Sequence, residues 1–129
     1  MKKTLPGINI QWPISQDILS GKKTVETRTY PIPEKYLNQE MYFIETPGKN
    51  GKFDARIVGK IRFSSCFKYD SEKAFYNDHK RHLVDPSSPW SWKPDKVKYG
   101  WEISELIRFK NPKMAPISKG IKFTAKISL

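Results

Sequence analysis

The feature that most constrains the fold is an alternation from Phe53 to Phe67. Ala55, Ile57, Gly59, Ile61 and Phe63 alternate there with Arg56, Lys60 and Arg62. A period of two puts successive side chains on opposite faces of a strand. The stretch therefore predicts one long strand with an apolar face and a basic face. Gly59 marks a bend or bulge within it, as at a barrel corner. The preceding segment, residues 47–52, is a turn whose strongest element is Asn50-Gly51. Residues 40–46 read as a largely buried strand. The basic row Arg56, Lys60 and Arg62 is ordinarily a solvated face; its functional alternative is contact with nucleic acid.

The other elements follow from the same rules. Residues 7–11 form a first strand with Ile8 and Ile10 on one face. Pro13 suits the first turn of a helix, and Ile14, Ile18 and Leu19 make its apolar stripe. Gly21 ends that helix in a left-handed conformation. A strand over residues 23–29 runs into Tyr30-Pro31-Ile32-Pro33, and residues 33–37 form one helical turn. Residues 71–83 read as a helix capped by Asp70 or Ser71. Residues 84–97 are irregular and carry Trp90 and Trp92, either as a lid over the core or as ligand contacts. Tyr99 to Phe109 is a strand with a bulge near Ser104-Glu105. Residues 111–120 read as a loop and residues 121–127 as a last strand.

Five or six strands, two main helices and tight turns predict an α+β chain folded as a small mixed barrel. The 129 residues fit one domain, with a core over about 7–109 and a C-terminal strand or extension over 110–129. That length buries roughly 65% of the unfolded surface, enough for a core without covalent staples.

Charge and cysteine content narrow the partners. The net charge is +11, from 24 Lys and Arg against 13 Asp and Glu, with a pI near 9.8. Such a balance favours a polyanion, with nucleic acid first and an anionic membrane surface second. No basic amphipathic helix supports the membrane reading, and no apolar run approaches the ~18 residues of a span. Met1-Lys2-Lys3 starts like a signal peptide, but the apolar run that should follow is missing. Cys66 has no partner for an internal disulfide, which suits a reducing cytoplasm. His79 and His82 sit at metal-ligand spacing, yet no third ligand has a recognisable spacing. The expectation is therefore a cytoplasmic protein without metal or cofactor.

The densest chemistry lies at Gly21-x-Lys23-x-x-Glu26-x-Arg28. On a strand, Glu26 and Arg28 share one face with Thr24 beside them, while Lys23 sits at the bend. An acid and a base two residues apart can hold each other and leave donors free for a phosphate or a base edge. The alternative is an exposed ion pair worth about 0–1 kcal/mol.

This spacing, preceded by Ile18-Leu19-Ser20, resembles the signature of the ASCH domain, a branch of the PUA-like superfamily. Residues 8–13, 75–82 and 99–103 are similar, in the same order, to that family's opening strand, later helix and closing strand. The resemblance implies a PUA-like barrel with helices flanking a cleft. Three functions are then in view. The first is RNA or nucleotide binding by Gly21, Lys23, Thr24, Glu26, Arg28, Tyr30, His79, His82, Trp90 and Trp92, with an aromatic stacking on a base. The second is an enzyme acting on RNA or a modified nucleoside, since some ASCH relatives resemble ribonucleases and another branch deacetylates N4-acetylcytidine with Lys, Thr and Glu. Lys23, Glu26 and Asp78 are its catalytic candidates. Here Glu26 occupies the place of that branch's threonine, so the expected nucleophile is absent from its position. The third is a non-catalytic protein adaptor.

Overall fold

The computed structural model describes residues 3–116 and 122–129. Its strands are β1 (Thr4–Gln11), β2 (Val25–Arg28), β3 (Met41–Thr46), β4 (Arg56–Lys68), β5 (Tyr99–Met114) and β6 (Phe123–Ser128). Its helices are α1 (Ile14–Leu19), α2 (Glu72–Asn77) and α3 (His79–His82), with a 3-10 turn at Glu34–Tyr36. Among the described residues the strands form one curled mixed sheet in the order β2-β5-β4-β3-β1-β6. The β1–β3 pair is parallel; the other pairs are antiparallel. The expected α+β class and mixed six-stranded sheet are observed among the described residues, with the expected barrel present as a curled half-barrel and three short helices in place of two.

The alternation that predicts β4 holds from Gly59 onward and slips before it: the register shifts between Ile57 and Gly59, so Val58 joins the main core while Ile57 and Ala55 pack with a second cluster on the other face. Ile61 and Phe63 turn into the main core, and Lys60 and Arg62 turn away from it. A Cβ at Gly59 would come 2.0 Å from the Ile107 carbonyl oxygen, so β5 lies too close there for any side chain. The predicted bulge is present: Phe63 pairs with Ile103 and Arg62 with Glu105, leaving Ser104 extra. Central β3 is buried on both faces. Met41 and Phe43 join the main core; Tyr42 and Ile44 join a second cluster with Leu5, Ile57 and Ile127. Phe43 and Phe63 are fully buried, each contributing about 1.5–3 kcal/mol by removal from water. At the centre stands Trp101, with Tyr30, Phe63 and Phe123 around its ring at 5.6, 5.5 and 6.2 Å.

Three other expectations are corrected. The helix expected over 71–83 is broken at Asp78, whose backbone (φ −97°, ψ 14°) leaves the helical basin. The Asp78 carboxylate there binds Arg81 and Tyr69. Residues 111–114, expected in a loop, continue β5, because Lys113 and Met114 pair with Ile57 and Arg56 of β4. The long strand begins at Arg56 rather than Phe53. The rest of the expected 111–120 loop beyond Pro116 and the start of the expected last strand, Ile121, lie outside the described residues.

A third apolar group, Tyr69, Phe75 and Val84, lies beneath residues 84–97. It anchors that long loop beside the site described next.

Candidate functional site

Helix α1 delivers the site. Its last turn closes with the Gly21 N–H on the Ile18 carbonyl, at φ 83° for Gly21, a left-handed conformation that glycine adopts without strain. The chain reverses, and the Lys23 N–H returns to the Asp17 carbonyl. Strand β2 then pairs with β5, setting Glu26 opposite Trp101 and Arg28 opposite Tyr99. Residues directly opposite in a sheet share a face, so Glu26 and Arg28 stand on the face that carries Trp101.

Glu26 lies between two cations. Its Oε2 accepts from Arg28 Nη2 at 3.1 Å, and its Oε1 lies 3.8 Å from Lys23 Nζ. Lys23 is 4% exposed and Glu26 5%, so this is a buried triad rather than the solvated pair of the alternative reading. Lys23 Nζ also donates to the His82 carbonyl, tying the turn before β2 to α3. Burial pushes the Lys23 ammonium below its usual pKa, and the charge of Glu26 opposes that shift. Arg28 lies over the Trp101 ring, 5.4 Å from its centroid, and donates to Tyr30 Oη and the Asn9 carbonyl.

A cavity of about 940 Å³ opens over this triad. Its wall includes Lys23, Glu26, Arg28, Tyr30, His82 and Trp90 from the predicted set. It also includes Asp17, Ser88, Lys98 and Lys122, which sequence reading did not single out. Lys98 is 6% exposed while its neighbour Val97 is 41% exposed, an inversion of hydropathy that no local pattern announces. Its Nζ donates to the Trp90 carbonyl at 2.7 Å. Lys122 sits 4.1 Å from the centroid of the Tyr30 ring.

The remaining predicted residues are not brought to the cavity. Gly21 and Thr24 shape the turn; the Thr24 N–H donates to the Arg81 carbonyl. His79 is on the surface, 2.7 Å from Asp85 Oδ1. Asp78 belongs to a separate cluster with Tyr69, Arg81, Glu102 and Ser65. Trp92 packs against Phe75, with ring centroids 5.7 Å apart. The two loop tryptophans thus divide the two readings between them: Trp92 is core, and Trp90, 44% exposed, stands at the cavity wall.

His82 lines the cavity with a fixed ring. The Val84 N–H donates to its Nδ1 at 2.9 Å, so Nε2 carries the proton and donates to the Phe75 carbonyl at 2.6 Å. Burial holds its pKa below the usual value. Both ring nitrogens are therefore occupied, and the His79–His82 spacing does not present two free metal ligands. Among the described residues no group of three His, Cys, Asp or Glu is arranged to hold a metal ion. No helix among them is long and apolar enough to cross a membrane.

A second buried carboxylate, Glu45, takes Ser15, Gln16 and Arg56 as donors and pins α1 to β3 and β4. It steadies the helix that carries the site.

No protein-family model matches this sequence, and no curated protein matches it. Solved structures do. The ASCH protein of Zymomonas mobilis superposes with a TM-score of 0.70 at 15% identity, covering 93% of this chain and 85% of that one. A serine-to-alanine variant of the same protein gives 0.69, covering 93% and 86%. A tyrosine-to-phenylalanine variant gives 0.67, covering 93% and 88%. The fold is thus an ASCH-type, PUA-like α+β fold over nearly the whole chain, as the signature implies.

Proposed function

We propose that this chain binds RNA or a nucleotide, with one unpaired nucleotide held in the cavity above Glu26 and Arg28. The observation that carries this reading is the Arg28 guanidinium, fixed between Trp101, Tyr30, Glu26 and the Asn9 carbonyl. Those bonds use three of its five N–H donors, leaving two for a carbonyl or phosphate oxygen. Lys23 has donors of its own beyond the His82 carbonyl. Trp90 supplies an exposed π-face for a base, and a net charge of +11 draws the rest of a polyanion to the surface. The cavity volume of about 940 Å³ falls within the range of small-molecule sites.

The test is fluorescence anisotropy of a short labelled single-stranded RNA at two salt concentrations, with Arg28→Gln as control. A salt-sensitive rise lost in the variant is expected. No rise even at low salt, or full binding by Arg28→Gln, would refute the reading.

A second reading, hydrolysis of the bound ligand, is favoured by one observation. Lys23 and Glu26 place an amine of lowered pKa beside a carboxylate within the cavity, a combination suited to general acid–base work. An anisotropy rise that decays over hours in wild type, but not in Lys23→Met, is its signature. The same decay in both proteins would remove Lys23 from any such chemistry.

A further inference from the structure

Among the described residues, Lys98 is the buried lysine of the cavity wall that the fold leaves without an acid. It is 6% exposed, and its Nζ has one protein partner among the described residues, the neutral carbonyl of Trp90. The ion pairs of the described residues engage Lys23 and Arg28 with Glu26 but never Lys98. The charges it feels most are those of Lys93 and Lys23, which repel it. Buried ammonium groups are ordinarily paired with an anion, because an unpaired one carries its full desolvation cost. This one faces a cavity instead.

Resting on the reading of the cavity as a nucleotide site, we propose that Lys98 is the phosphate-binding residue of that site. Its ligand is then a phosphorylated nucleotide unit rather than a neutral nucleoside. The roles within the cavity divide accordingly. Arg28 and Lys23 already share the negative charge of Glu26, which suits them to neutral acceptors such as the carbonyls of a base edge. Lys98 has no such neutralisation, and two of its three N–H donors remain after the Trp90 carbonyl. Lys93, hydrogen-bonded to Ser91 in the same loop, adds positive potential from outside. The bond from Lys98 to Trp90 couples the two halves of recognition: the residue that takes the phosphate also fixes the backbone of the residue that takes the base. Both a terminal phosphate monoester and an internal RNA diester present the required oxygens.

The experiment is calorimetric titration of wild type, Lys98→Met and Lys98→Arg with three probe sets. These are the four ribonucleosides, their 5′-monophosphates and the corresponding dinucleoside monophosphates. In wild type a phosphorylated set should bind about ten- to a hundredfold more tightly than the nucleosides, as one charged hydrogen-bonded contact supplies. Lys98→Met should bring the phosphorylated and neutral probes to similar affinity by weakening only the former. Lys98→Arg should restore part of the preference. A preference for the 5′-monophosphates assigns the monoester, and one confined to the dinucleoside monophosphates assigns the diester. Equal binding of nucleosides and phosphorylated probes by wild type, or an undiminished preference in Lys98→Met, would overturn the phosphate role and leave the nucleotide site standing. Binding of no probe by any form would overturn the site reading itself, and this one with it. A thermal melt guards against misfolding: removing an unpaired buried charge should leave Lys98→Met at least as stable as wild type.

Discussion

Two ionic clusters stand on opposite sides of β5 and use the same ingredients to different ends. The outer cluster is closed. Arg81 grips Asp78 through Nε and Nη2 and Glu102 through Nη1, while Tyr69 and Ser65 donate to the same two carboxylates. Every strong donor there ends on a protein oxygen. The inner cluster is open. One carboxylate, Glu26, serves two cations, and Lys98 beyond them has none. The outer Arg81 and Glu102 side chains are 41% and 40% exposed and that of Asp78 20%, whereas the side chains of Lys23 and Glu26, beneath the cavity, are only 4% and 7% exposed. A dense run of charges is therefore no guide to function. What separates the two clusters is whether positive charge remains after the protein has satisfied itself.

The largest effect should come from removing the shared acid. Glu26→Gln leaves two buried cations facing each other and should cost about 3–5 kcal/mol in urea unfolding, as breaking a buried pair does. Glu102→Gln, on the outer side, should cost only about 1 kcal/mol, because this carboxylate and its partner Arg81 are 40% and 41% exposed and water replaces what is lost. Equal losses at the two positions would erase the distinction between them.

The tryptophans sharpen the same comparison. Trp92 packs on Phe75 within the apolar group under the loop. Trp92→Ala should lower stability by about 2–3 kcal/mol, below the usual cost for a fully buried Trp because this ring is half-buried. Trp90→Ala should leave the melting temperature unchanged and weaken RNA binding by about 1–3 kcal/mol, one stacked base. Loss of stability in Trp90→Ala with normal binding would reverse the assignments.

Much of this was legible in the chain. The period-two alternation gives β4, the Gly21 stop gives the end of α1, and the even spacing of Glu26 and Arg28 gives their common face. Each depends on neighbours close in sequence. What stayed hidden depends on contacts across the fold. Asp78 and Glu26 are both acids beside basic residues, and only tertiary packing sends one outward and the other beneath the cavity. Lys98 precedes β5 with no periodic signal, and its burial arises from the loop of Trp90 folding over it. The break in the helix after Asn77 was equally invisible, because the partners of Asp78 include Tyr69, nine positions away.

Acid should dismantle the two sides in sequence. His82 has its pKa lowered by burial, so between that value and 6.5 the unfolded chain binds a proton that the folded one refuses. Stability from this group is complete above pH 6.5 and declines as pH falls below it. Asp78 and Glu102 are held below 3.8 and 4.5 by their hydrogen bonds, with burial opposing the shift in both. Their contribution persists until pH falls through those lower values. Stability measured against pH should show an early decline from the inner side and a later one from the outer. His82→Gln should flatten the first and keep the second. A single decline confined below pH 4.5 would mean that His82 is not held neutral.

The smallest effect is expected at His79, and it tests how closed the outer face is. Its ring is 44% exposed and bonds to Asp85, itself 65% exposed, so both partners regain water when the bond is lost. His79→Ala should change stability by less than about 0.5 kcal/mol. RNA affinity should stay within about twofold, under 0.5 kcal/mol. Only His82 of the histidine pair has both nitrogens bound inside the fold, so it alone should respond to substitution. A clear loss of RNA affinity in His79→Ala at unchanged stability would show that the ligand crosses from the cavity onto the outer face. The division between an open and a closed side of β5 would then fail at the helix ends.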